Sequence, residues 1–133
     1  MRVLALDWGE VRIGAAISDP TGEIAFPFEK FLDNKTGIEE IKKIVAEQDV
    51  KKIIIGRPTN LAGQEGVSSK KVELFASKIE KEVGFPVEFV DERFTSVQAG
   101  KMLSADGVSE QKQRAVKDNI AAQIMLQQYL NNN

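Results

Sequence analysis

The stretch RVLALDWGEVRIGAAISD, Arg2 to Asp19, constrains the fold more than any other part of the chain. Two apolar runs of strand length are separated only by Trp8-Gly9-Glu10. Gly9 supplies the backbone freedom that a tight turn needs. Residues 2–8 and 11–18 therefore predict two antiparallel β-strands. Each run ends in a carboxylate. A buried Asp is costly unless it is neutralised, hydrogen-bonded or bound to a cation, so Asp7 at the end of a buried strand calls for a reason.

Downstream, the turn signal Pro20-Thr21-Gly22 leads into a third strand over Glu23 to Phe31. Pro27 interrupts it, which suits an edge strand or a bulge. Gly37 to Gln48 carries Ile38, Ile41, Ile44 and Val45 at helical spacing. Lys52 to Gly56 is a β-branched apolar strand of the kind buried inside a parallel sheet. A Gly- and Pro-containing loop runs from Arg57 to Ser68, and a helix follows over Val67 to Val83. Phe85 to Val90 reads as the fifth strand. Thr95 or Ser96 caps a helix running to about Ala105, and Asp106 to Lys117 reads as a mobile loop or frayed helix. Asn119 to Leu130 is a final amphipathic helix.

The order β-β-β-α-β-α-β-α-α, with right-handed crossovers, makes strands four and five parallel to strand one. The expected fold is α/β and ribonuclease-H-like. It has a mixed five-stranded sheet, a three-strand antiparallel meander plus two parallel strands, flanked by helices. One domain covers residues 1–133.

Absences narrow the chemistry. The chain has no cysteine, which excludes disulfides, thiolate metal sites and cysteine nucleophiles. It has no histidine, so the commonest general base and transition-metal ligand are missing too. An enzyme built this way leans on carboxylates, which favour hard cations such as Mg2+ or Mn2+. No apolar stretch approaches the roughly 20 residues that span a bilayer, and the N-terminus does not read as a signal peptide. The expected location is cytoplasmic. A net charge of -2 is no global mark of a nucleic-acid binder, but a local basic face is enough for one.

Three acids fall at telling places in this topology. Asp7 lies at the exit of strand one, Asp91-Glu92 at the exit of strand five, and Asp118 at the start of the last helix. Parallel strands share one C-terminal edge, where α/β sheets usually bind ligands. Carboxylates gathered there repel one another, and divalent cations relieve the repulsion. Two such ions can activate a water and stabilise the leaving oxygen of a phosphodiester. Taken alone, Asp118 reads as a helix N-cap, and Asp91-Glu92-Arg93 as surface ion pairing.

The stretches ALDWGEVRIGAAISDPTG, IIIGRPTNLAGQEG, FVDERFTS and VKDNIAAQIMLQQYL resemble, in order, the motifs of the YqgF (RuvX) family, over essentially the whole chain. Members are described as Holliday-junction resolvases and as nucleases in maturation of the 5′ end of pre-16S ribosomal RNA. The resemblance implies a metal-dependent hydrolase with Asp7, Glu92 and Asp118 as catalytic, metal-holding acids and Mg2+ or Mn2+ as cofactor. It implies pre-rRNA or branched DNA as partner, with ribosomal precursor particles, as a monomer or homodimer and away from membranes. This chain departs from the family in carrying Glu10-Val11 where Thr-Lys is usual; Arg12 and Arg57 restore positive charge. Ala121 and Ala122 follow the last acid, which leaves one carboxylate fewer for a second cation.

Gly56 permits close approach of backbone to phosphate, and Arg57 can hold a phosphate bidentately. Arg12 adds charge beside the turn, Arg93 can position a second phosphate, and Thr95 either binds phosphate or caps a helix. Arg57 and Arg93 also fit a plain turn and a salt bridge. Trp8 reads as core before it reads as a base-stacking residue. A catalytically idle nucleic-acid-binding module is the competing class. The DxG hairpin also occurs in two-domain ATPases and sugar kinases, for which 133 residues are too few.

Overall fold

The first apolar run forms β1 (Arg2–Asp7) and the second β2 (Arg12–Ser18), in a computed structural model that describes residues 1–9, 11–28, 32–57, 67–91 and 110–132. They pair antiparallel, with Leu6 opposite Ala15 and Asp7 opposite Gly14. The turn between them is tight because Gly9 has no side chain. A Cβ there would stand 2.4 Å from the Arg12 carbonyl oxygen. Asn34 clasps the turn from outside: its Nδ2 donates to the Gly9 carbonyl, and its own N–H donates to the Val11 carbonyl at 3.1 Å.

The third strand is shorter than its sequence suggests. Glu23 to Phe31 was expected as one strand; the structure forms β3 (Ala25–Pro27) and a separate β4 (Leu32–Asp33). Both pair with β2, at Ala16 to Ser18 and at Arg12 to Ile13 respectively. Pro27, opposite Ala16, has no N–H to extend a ladder, which helps divide the strand. Among the described residues the sheet thus has six strands rather than five, in the order β3-β2-β1-β5-β6 with β4 also on β2.

The rest follows the expected topology. Helix α1 (Gly37–Glu47) leads to β5 (Val50–Arg57), parallel to β1, and α2 (Val67–Val83) leads to β6 (Val87–Asp91), parallel to β5. The final helix, α3 (Glu110–Asn131), starts well before the expected Asn119, so of the two readings of this stretch, loop or frayed helix, residues 110–117 follow the helical one. The helix expected over 95–105 lies outside the described residues.

The helices form two layers around the sheet. Leu4, Leu6, Ile13, Ile53 and Ile55 pack with α1 and α2 through Ile41, Val72, Phe75 and Ile79. On the other face Val3, Ala5, Ala16, Ala25 and Ile54 pack with α3 through Ala122, Met125 and Leu126. The small residues on this second face allow a close helix–sheet approach. Because side chains alternate along a strand, β1 and β5 read as continuous apolar runs: both of their faces are covered.

Candidate active site

Strand alternation fixes the side of the sheet on which Asp7 lies. Leu4 and Leu6 belong to the α1–α2 layer, and the partly buried Trp8 packs there too, as core. Val3 and Ala5 belong to the α3 layer, and Asp7 is next in that series. It is half-buried at the C-terminal end of the central strand. Its partner across β2 is Gly14, which carries no side chain. On the other flank, Gly56 follows Ile55, the register partner of Leu6, and alternates onto the α3 face with Ile54. The carboxylate therefore sits between two glycine positions, with Arg12 two residues along β2 on the same face.

Helix α3 runs antiparallel to β1 and brings position 118 to the same end. Asn119, near its middle, contacts Ala15, the partner of Leu6. Gln127 contacts Ala25 and Glu23, beside the start of β1. Position 118 lies one turn before Ala122 and two turns before Met125, on the stripe that faces the sheet. It also lies more than two turns inside the helix. That corrects the expectation of Asp118 at the start of the last helix and removes the N-cap reading.

The other expected site residues divide. Arg12, half-buried on β2 opposite Asp33, alternates onto the same face as Asp7. Gly56 is buried beside Asp7's level, opposite Val90. Position 57 is the last residue of β5, in register with Asp91 of β6. Glu92, Arg93 and Thr95 lie outside the described residues; Glu92 directly follows the last residue of β6. Among the described residues, no three acids form a metal-sized cluster. No described helix is long and apolar enough to cross a membrane.

Two groups had not been singled out in the sequence. Gly14 is significant only once its register with Asp7 is known. Asn119, 1% exposed, accepts a hydrogen bond from the Ala15 N–H at 2.8 Å and donates to the Phe28 carbonyl at 2.9 Å. The sequence signal was an amide that begins a series at four-residue spacing, Asn119, Gln123 and Gln127. Near the far end of α3, the Tyr129 hydroxyl donates to Glu88 at 2.9 Å, and Lys52 Nζ lies 2.9 Å from the same carboxylate oxygen. The Tyr129 hydroxyl and Glu88 raise the Lys52 pKa, and Lys52 followed by Tyr129 lowers that of Glu88.

A mixed sheet of this order, covered by helices and with an acid ending its central strand, is a ribonuclease-H-like fold. Solved structures agree on the fold. A fowlpox virus resolvase bound to Holliday-junction DNA superposes with a TM-score of 0.62 at 13% identity, covering 99% of this chain and 98% of that one. Thermus thermophilus RuvC bound to a Holliday junction gives 0.57 at 14%, covering 99% and 94%. The chain belongs to the RuvX family of nucleases, whose model, described as Holliday junction resolvase, matches residues 1–132. A Dictyoglomus turgidum relative named "Putative pre-16S rRNA nuclease" is 40% identical over 98% of this chain and 94% of its own length. A Streptococcus gordonii relative of the same name is 40% identical over 100% and 99%.

Proposed function

We propose that this protein is a divalent-metal-dependent nuclease of the cytoplasm that hydrolyses phosphodiesters in 5′-end maturation of pre-16S rRNA, using one domain over residues 1–133. The observation that carries the reading is Asp7. It is a half-buried acid on a rigid central strand, between Gly14 and Gly56, at the end of the sheet that α3 reaches with position 118. The rRNA assignment draws on the names of the relatives.

The donor chemistry fits Mg2+ or Mn2+. The chain offers no imidazole and no thiolate, so the acids at this edge make an all-oxygen, hard donor set. Asp7, Glu92 and Asp118 would hold the cation, which when bound supplies the positive charge that activates water and stabilises the leaving oxygen. The glycines let a phosphate approach the backbone closely, and Arg12, on the same face, offers a planar guanidinium to its oxygens. The strand holds Asp7 still, which matters because misplacing a catalytic group by about 1 Å can cost about 10²-fold in rate.

Asp7→Asn keeps the side-chain shape and removes the charge. It should abolish Mn2+-dependent cleavage of an RNA spanning the 5′ end of 16S rRNA while leaving the circular dichroism spectrum unchanged. Cleavage at the parent rate would sink the proposal. The family description and the junction-bound neighbours favour a second substrate, branched DNA. Symmetric cutting of a four-way junction needs two active sites and hence a dimer. Sedimentation together with junction cleavage separates the two readings.

A further inference from the structure

The β2–β3 ladder is open at one rung, and a side chain occupies the gap. Ala16 pairs with Pro27, so the next pair along is Ala15 with Phe28. Half of the expected exchange is present: the Phe28 N–H donates to the Ala15 carbonyl at 3.0 Å. The return bond is replaced. The Ala15 N–H donates to Asn119 Oδ1 at 2.8 Å, and Asn119 Nδ2 donates to the Phe28 carbonyl at 2.9 Å. One primary amide is thus inserted into a backbone rung, 104 residues away in sequence from Ala15.

Such a contact fixes both height and rotation. Alanines make up half of the buried cluster under α3, Ala122 on the helix and Ala5, Ala16 and Ala25 on the strands, while Met125 and Leu126 pack further along the helix. Beside Asn119 the helix residue in this cluster is the small Ala122, which interlocks less than Met125 and Leu126 do. The Asn119 amide has one place to go, because it must accept from one strand and donate to the other. Gln123 and Gln127 continue the same stripe at four-residue spacing, bonding the Ala25 carbonyl at 3.2 Å and the Ala25 N–H at 3.0 Å. They lie toward the other end of β1.

We propose that Asn119 is a positioning residue for the nuclease reaction. By inserting its amide between β2 and β3 it sets the turn of α3 that places Asp118 at the level of Asp7. This rests on the carboxylate-site reading above. The partner of Asn119 is the strand pair itself, and its immediate neighbour in the chain is the acid.

The test compares two tethers on one helix. Asn119→Ala and Gln127→Ala each remove side-chain bonds between α3 and the strands, and only the first lies beside the acid. Asn119→Ala should lower kcat on RNA by 10- to 100-fold with KM within about threefold. It should also weaken Mn2+ binding to the substrate-free protein, measured by calorimetry, about tenfold or more. Gln127→Ala should lower the melting temperature and leave kcat and Mn2+ affinity within about twofold. Parent-like kcat and Mn2+ affinity in Asn119→Ala, or equal losses in both variants, would overturn the proposal.

A measurement on the parent covers the case in which Asn119→Ala does not fold. Coupling is reciprocal, so Mg2+ should shift the NMR resonances of the Asn119 side-chain amide and the Ala15 amide more than those of Gln127. No shift overturns the proposal. Asp7→Asn and Asp118→Asn, assayed alongside, separate the two failures. If both cut at the parent rate, the carboxylate reading fails and takes this one with it. If both are dead and Asn119→Ala cuts at the parent rate, only the role of Asn119 fails.

Discussion

At the residue scale, the turn that follows Asp7 leaves no room for a side chain. A Cβ on Gly9 would lie 2.4 Å from the Arg12 carbonyl oxygen, and both partners are backbone, so no rotamer change relieves the clash. Gly9→Ala should therefore cost about 1–3 kcal/mol, as overpacking does elsewhere. Denaturant titration would register this as a lower midpoint at unchanged slope. The same shift moves Arg12 relative to Asp7, so the variant should also cut more slowly than its stability alone explains. A midpoint equal to the parent's would mean that the turn relaxes without strain. Residues of this kind are half legible in sequence. Gly9 is visible as a turn glycine, and Asp7 stands out because an acid ends an apolar run. Gly14 and Asn119 are not, because each acquires its meaning from a partner set by the register of strands and the landing point of a distant helix.

At the element scale, the segment between β2 and β3 is organised by one carboxylate. Asp19 accepts hydrogen bonds from the Thr21 hydroxyl at 2.6 Å, the Glu23 N–H at 2.7 Å and the Ile24 N–H at 3.1 Å. The Thr21 bond first, and then the backbone bonds, lower its pKa to about 2 from an ordinary 3.8. A lowered folded-state pKa stabilises the fold above the unfolded value, and the effect is lost as pH falls from about 3.8 through about 2. Asp19→Ala should melt below the parent near neutral pH, and the gap should close across that acid window. A gap that stayed constant on acidification would assign the effect to something other than the charge. The elements themselves were legible in proportion to their apolar pattern. The bounds of α2 came out as read, and β5 was recognised from its isoleucines. The start of α3 was missed because Glu110 to Lys117 has no apolar period; its glutamines, lysines and arginine favour helix by intrinsic propensity instead. The division of the third strand was missed because Pro27 signals an interruption but not the return of the chain to β2 at Leu32.

At the scale of the whole molecule, the sheet is a rigid plate between two helical layers, and the proposed site lies where the plate ends. The inner strands are covered on both faces, so they can hold an acid at their tip without yielding to it. Folding and metal binding should then be linked through Asp7. A cation that binds only the folded state stabilises it by about 2.7 kcal/mol at a concentration 100 times its Kd. The parent should accordingly melt higher as Mn2+ is added, and the rise should continue logarithmically with concentration above Kd. Asp7→Asn should show little of this rise, because a neutral amide is a poor ligand for a hard cation. In metal-free buffer the order should reverse, since removing one charge relieves repulsion among the remaining acids. Crossing melting curves, with the variant higher without Mn2+ and the parent higher with it, are what a metal site built from repelling carboxylates requires. If Asp7→Asn melts well below the parent in metal-free buffer and Mn2+ raises both proteins equally, Asp7 is a hydrogen-bonding residue of the sheet edge, and the cation is bound elsewhere.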